Sequence, residues 1–234
     1  MAIVAGVDGC PGGWLCLWGD PDRGDLAARI LDRPEDLLDL APSPEAVGVD
    51  IPIGLPERGT RACDREARRM LGRPRASSVF SAPIRPMLAA ESHREACRIG
   101  EDRDGRRLSR QAWNILPKVR EMDAFLAADP SRAEWVHEVH PEASFAVWNG
   151  GVPMTRNKKT AEGAAERGAL AEKWLGGPWR NIASRFPATG YAPDDLLDAL
   201  AVLRTARRIA TGEALCLPRE PERDARDLPM AIRA

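Results

Sequence analysis

Apolar positions come in short runs at the front of the chain and in helical stripes behind it. Residues 3–9 form a compact apolar run rich in β-branched side chains, which predicts a buried strand. Gly12 and Gly13 make a turn, and residues 14–18 return as a second strand, giving a hairpin. Residues 26–31 read as a third strand. Pro34 opens a short helix over 35–40, where its missing N–H is harmless. Residues 47–53 are apolar on both sides of the pleat, as in a central parallel strand. The first 55 residues therefore read βββαβ.

That rhythm breaks between 57 and 130. A charged helix over 61–71 leads into a Ser/Pro loop at 77–86, and helices follow at 92–100 and 108–128, the last disturbed by Pro117. The stretch predicts an α-helical insertion, covering one edge of the sheet, within a single domain of residues 1–234. A fifth strand over 135–139 resumes the pattern. Helices are expected at 160–174 and 194–211, and a short strand at 230–232.

Four carboxylates stand where hydrophobic segments stop or start. Asp8 ends the first strand in GVDGCPGGW, and Asp50 interrupts AVGVDIPIGLP. Asp195 and Asp198 lie on the last helix in PDDLLDALAVL, on one stripe with Val202, Ala206 and Ile209. Desolvating an unpaired carboxylate is costly. Converging acids of this kind make a pocket suited to divalent cations, which take oxygen ligands. In Glu138-Val139-His140 the two polar residues share a strand face, which makes Glu138 a catalytic candidate. Arg85, His140 and Lys158 are candidates for contacting substrate.

Charge changes the picture in one respect. Residues 58–120 carry 16 Lys/Arg against 7 Asp/Glu in a chain of net charge −1. A basic surface beside an acidic pocket suits a polyanion such as nucleic acid. Arg outnumbers Lys 30 to 4, so some of that excess reflects general Arg usage. Five Cys form no C-x-x-C pair, which with no export signal predicts a reducing, cytoplasmic setting. No apolar run is long enough to span a membrane. P-loop, G-x-G-x-x-G, G-x-S-x-G and H-E-x-x-H patterns are absent.

The order βββαβ, insertion, strand and helices resembles the ribonuclease H-like fold, a mixed five-stranded α/β sheet with helices on both faces. The late D-L-L-D-A-L-A helix is similar to that of RuvC-type Holliday junction resolvases, although Asp50 stands where those enzymes carry Glu. GVDGCPGGW, DIPIGLP, CDREARRMLG with SSVFSAPIR, SRQAWNILPKVRE, EVHPE and DDLLDALA together resemble the domain-of-unknown-function 429 family, described as predicted nucleases. The resemblance implies Mg²⁺- or Mn²⁺-dependent phosphodiester hydrolysis. Asp8, Asp50, Asp195 and Asp198 would hold two ions about 3.5–4 Å apart. Two other readings stay open: an actin-like or sugar-kinase-like nucleotide binder, and a non-catalytic interaction module of the same fold.

Overall fold

The computed structural model describes residues 2–184 and 189–234. Strands β1 (Val4–Cys10), β2 (Gly13–Asp20) and β3 (Asp25–Leu31) form an antiparallel meander. β4 (Ala46–Val49) then pairs parallel to β1, and β5 (Val136–Glu138) parallel to β4. The order is β3-β2-β1-β4-β5, so this is a mixed ribonuclease H-like sheet. β4 is shorter than expected. The Asp50 amide still bonds the Val7 carbonyl at 2.9 Å, but Pro52 has no N–H to continue the ladder. The Ile53 amide bonds the Glu138 carboxylate at 2.7 Å instead.

Helices cover both faces. In the inserted region lie α1 (Ala62–Arg75), α2 (His93–Asp104) and α3 (Arg110–Ala128). α3 runs through Pro117 unbroken and packs Val119, Met122, Phe125 and Leu126 against Val7, Val47 and Val49. The insertion thus covers a face of the sheet, where the sequence suggested an edge. α2 adds a small apolar cluster with Ile84, Met87 and Ala112. After β5 come α4 (Pro141–Trp148), α5 (Ala161–Leu175), the single turn α6 (Arg180–Ala183) and α7 (Pro193–Ala210). α4 was not expected from the sequence, although Pro141 at its first turn is a start signal. β6 (Cys216–Leu217) and β7 (Ile232–Arg233) form a small ribbon, and Arg233 bridges to Val139 at the sheet edge. Among the described residues no helix is long and apolar enough to cross a membrane.

α7 lies on the face opposite α3, against Leu15, Leu17 and Val4. The two glycines beneath it face each other in register, Gly6 on β1 and Gly48 on β4. A Cβ at Gly6 would stand 2.3 Å from the Leu203 amide nitrogen and 2.4 Å from the Ala199 carbonyl oxygen. At Gly48 it would meet Val202 Cγ1 at 2.8 Å. The helix backbone therefore rests directly on the sheet.

This contact predicts a sharp asymmetry. Gly6→Ala pushes a methyl into backbone that cannot rotate away, so it should cost at least the about 1–3 kcal/mol typical of overpacking. Gly177, with open space around its Cβ position and an ordinary φ, should accept Ala within about 0.5 kcal/mol. Urea unfolding of both variants checks this; equal losses would remove the close approach as a constraint.

Candidate metal centre

Strand alternation sets the site. Val4, Gly6 and Asp8 occupy one face of β1, and Ala46, Gly48 and Asp50 the same face of β4 and its extension. Asp8 and Asp50 therefore sit side by side where the parallel β1–β4 pairing stops, under the first turns of α7; Asp8 does not end its strand, since β1 runs on to Cys10 against β2. Ligands of open α/β sheets bind near the carboxyl ends of strands. Asp8 is only 7% exposed and Asp50 is half-buried. Among the described residues, neither side chain has a hydrogen-bond or ion-pair partner. Both line a cavity of about 120 Å³, shared with Arg61, Asp64, Lys118 and His140.

Asp198, 2% exposed, comes down from α7 beside them. Burial raises the pKa of Asp8 well above the carboxylate range, and Asp50, Asp198 and Asp195 add repulsion. Burial, then Asp198, pushes Asp50 up to about 8. Burial also raises Asp198, against the pull of Lys158. Lys158 Nζ donates a short hydrogen bond to Asp198 Oδ2 and lies 3.8 Å from Asp194. Burial alone would lower the Lys158 pKa, but Asp198, Asp50 and Asp8 hold it well above its ordinary value. Asp195 sits at the margin. Its carboxylate reaches back to accept the Ala192 N–H at 2.7 Å, the return half of a capping box.

Of three further sequence candidates, Glu138 and His140 line the cavity and Arg85 does not. Glu138 registers with Val49, so on the strand it alternates with the Asp8 and Asp50 face, yet its carboxylate lines the same cavity and adds repulsion at Asp50. There it forms a bidentate pair with Arg61, at 2.6 and 2.7 Å. Arg85 is clamped by Asp123 at 2.9 Å and by Asp224 in the C-terminal tail, so it ties two segments together and does not line the cavity. β5 ends at Glu138, and alternation does not carry on to His140. His140 Nε2 faces the Ser78 carbonyl at 3.4 Å, while its Nδ1 is buried with no partner among the described residues. Burial lowers its pKa to about 4, so the ring is neutral near pH 7.

Sequence reasoning missed Arg61 and Asp64. Arg61 is buried, and its guanidinium bonds Glu138, Asp64 and the Ile53 carbonyl. The signal was there: Asp64, Ala67 and Leu71 share one helical stripe of α1, and an Asp on an apolar stripe requires a partner. Lys118 was missed too. Its Nζ donates to the Gly13 carbonyl at 2.6 Å and sits 4.5 Å from the Trp14 ring centre.

The donor set suits a hard cation, since carboxylate oxygens are its preferred ligands. Among the described residues, however, no three Asp, Glu, His or Cys side chains group closely enough to hold an ion between them. Mg²⁺ commonly uses one or two carboxylates and keeps several waters. Asp8 and Asp50 fit that demand for one ion; the fit does not extend to a second.

Sheet order, the acids Asp8 and Asp50 and the overlying α7 together define a ribonuclease H-like α/β protein with an acidic centre. The chain belongs to the DUF429 family, described as proteins of unknown function, whose model matches residues 6–223. Among solved structures it is similar to Thermus thermophilus RuvC, at 16% identity and a TM-score of 0.34, over 90% of this chain and 97% of that one. It is likewise similar to T. thermophilus RuvC in complex with Holliday junction substrate, at 17% identity and a TM-score of 0.33, over 91% and 98% of the two chains. No curated protein matches this chain.

Two predictions follow from the electrostatics. Asp50 has a folded-state pKa raised from 3.8 to about 8, so the folded chain keeps a proton that the unfolded chain has lost. Stability contributed this way is present at low pH and lost as pH rises through about 8. In chelator, Asp50→Asn should gain on the parent between about pH 5 and pH 8, read by urea unfolding; a flat difference removes this cause. Secondly, Arg61→Met leaves buried carboxylates unpaired and should cost about 3–5 kcal/mol. Adding Glu138→Met should recover part of that loss, and a double variant worse than the single would contradict the pairing.

Proposed function

We propose that this protein is a metal-dependent phosphodiesterase acting on nucleic acid. The observation that carries the reading is the pair Asp8 and Asp50: adjacent, largely desolvated, and without a hydrogen-bond partner among the described residues beside a small cavity. Natural folds leave buried carboxylates unpaired at functional sites far more readily than elsewhere. A divalent ion held there by Asp8 and Asp50 would supply Lewis acidity at a phosphoryl oxygen and lower the pKa of a bound water.

The chain's own groups have separate tasks. Asp198 adds negative charge next to the pair, which strengthens attraction for a cation. Lys118 brings positive charge to the same cavity and offsets that of a phosphate. His140, neutral and with a buried unpartnered Nδ1, is too weak a base to take a proton near pH 7. Its orphaned nitrogen is instead a place for a hydrogen bond from a ligand hydroxyl. On the inserted segment, Arg58, Arg69, Arg73, Arg94 and Arg103 are exposed. Such side chains bind phosphate backbone without reading sequence.

A second reading has one observation in its favour. The Lys158–Asp198 pair neutralises part of the acid cluster without any ion, as a non-catalytic module of this fold would need. Cleavage separates the two. The parent should cut at least one of single-stranded, duplex, RNA or four-way-junction substrates with Mg²⁺ or Mn²⁺; the last is included because of the late D-L-L-D-A-L-A helix. Asp8→Asn should then lose at least about a hundredfold in rate, the scale of one electrostatic group at a reacting phosphate. Binding without cleavage by the parent would establish the module reading, and undiminished cleavage by Asp8→Asn would remove Asp8 from the site.

A further inference from the structure

Lys158 is not placed like a surface lysine. It lies in the segment between α4 and α5, and that segment is pinned on both sides. The Thr155 amide and hydroxyl bond Glu166 at 2.8 and 2.9 Å, and the Arg156 amide bonds the same carboxylate at 2.9 Å. The Arg156 carbonyl accepts from buried Arg167 at 3.1 Å and from Arg75 at 3.3 Å. Beyond it, α5 begins hard against the segment. A Cβ at Gly163 would stand 1.8 Å from the Asn157 carbonyl oxygen, so only glycine allows this approach. The loop is thereby held where Nζ reaches Asp198 and Asp194.

Charge and geometry then limit what else fits. Asp198 Oδ2 is already in hydrogen-bond contact with an ammonium. A divalent ion on that oxygen would face Lys158 at close range, and like charges repel strongly where water is scarce. Asp195 is partly engaged by its cap to the Ala192 amide. Asp8, more than nine-tenths buried and without a partner among the described residues, remains open together with Asp50.

We propose that Lys158 takes the place of a second metal ion, so that the centre holds one divalent cation, on Asp8 and Asp50, with the Lys158 ammonium as its other positive charge. This rests on the metal reading above and narrows it. The four carboxylates carry more negative charge than one ammonium can offset, which leaves room for one divalent ion. A second would require Lys158 to leave or lose its proton. The lysine thus fixes the stoichiometry and keeps Asp198 compensated when the ion is absent.

The test counts ions without any substrate. Mn²⁺ is titrated into the metal-free full chain while the electron paramagnetic resonance signal of free aqueous Mn²⁺ is followed. The parent should bind one Mn²⁺ per chain, and Asp50→Asn none at the same concentrations. Lys158→Met, which frees Asp198, should bind two, and Lys158→Arg, which keeps a cation there, one. Circular dichroism confirms that each variant is folded; should Lys158→Met fail to fold, Lys158→Gln serves for the same count. Two ions in the parent, or one in both the parent and Lys158→Met, would overturn the inference and leave the metal reading standing. No Mn²⁺ bound by either at millimolar concentration would overturn both.

Discussion

α7 rests on β1 and β4 with no side chain between helix and sheet at Gly6, and that contact fixes the rest. Backbone atoms of Ala199 and Leu203 occupy the volume where a Gly6 side chain would be. Helix and sheet cannot approach this closely with any other residue there. The consequence is two residues away on the same strand face. Gly6 and Asp8 share it, as do Gly48 and Asp50, so the approach that seats the helix also presses Asp198 toward the two acids. A wider helix would let water between them and relax the repulsion that raises Asp8 and Asp50. Close packing and an electrostatically strained centre are thus one feature of this fold.

The other acids of the same cavity solve a similar problem in a different way. Glu138 and Asp64 are buried acids too, but Arg61 spans both with a planar fork of donors and also satisfies the Ile53 carbonyl. Burial pushes Glu138 up to about 6 even against this cation. Buried ion pairs contribute little net stability, because desolvation offsets most of the attraction. What the clamp does is specify geometry: it joins the start of α1 to the end of β5 and to the loop after β4. That loop carries Asp50, so the insertion is tied to the centre by the residue that also closes the cavity wall.

Much of this was readable from the residue pattern, and the failures have definite causes. Run length and β-branching found all five strands of the main sheet. Asp8 and Asp50 stood out because each is an acid in an apolar run, and their shared face follows from alternation once β1 and β4 are paired. Glu138 was legible as an acid in an apolar run, but its buried partner Arg61, 77 residues away, was not. The face Glu138 takes depends on register with Val49, and register between distant strands is not encoded in local spacing. The partners of Arg85 and Lys158 were not legible, because a cation's partner can be anywhere in the chain: Asp224 lies 139 residues from Arg85, and Asp198 lies 40 from Lys158. Asp195 and Asp198 share a stripe, as the spacing implied. Being one turn earlier puts Asp195 at the helix start, where an unpaired backbone N–H claims it.

The two solutions together explain why the acids divide as they do. The acids around this cavity are held in one of three ways: by a guanidinium, as Glu138 and Asp64 are; by an ammonium, as Asp198 is; or by nothing among the described residues, as with Asp8 and Asp50. The first arrangement is rigid and planar, with every donor committed. The second is a single flexible contact on a pinned loop, which fixes charge but leaves the other oxygen of Asp198 free. The third is tolerable only because protonation can relieve it, which is what the raised Asp8 and Asp50 pKa values express. Stability is lost wherever pH forces those protons off. A fold selected for stability alone would have replaced these two acids with apolar residues, as it did at Val7 and Val49 one position earlier on each strand. These two unpaired acids, side by side and facing a cavity, are the feature on which the proposed cation site rests.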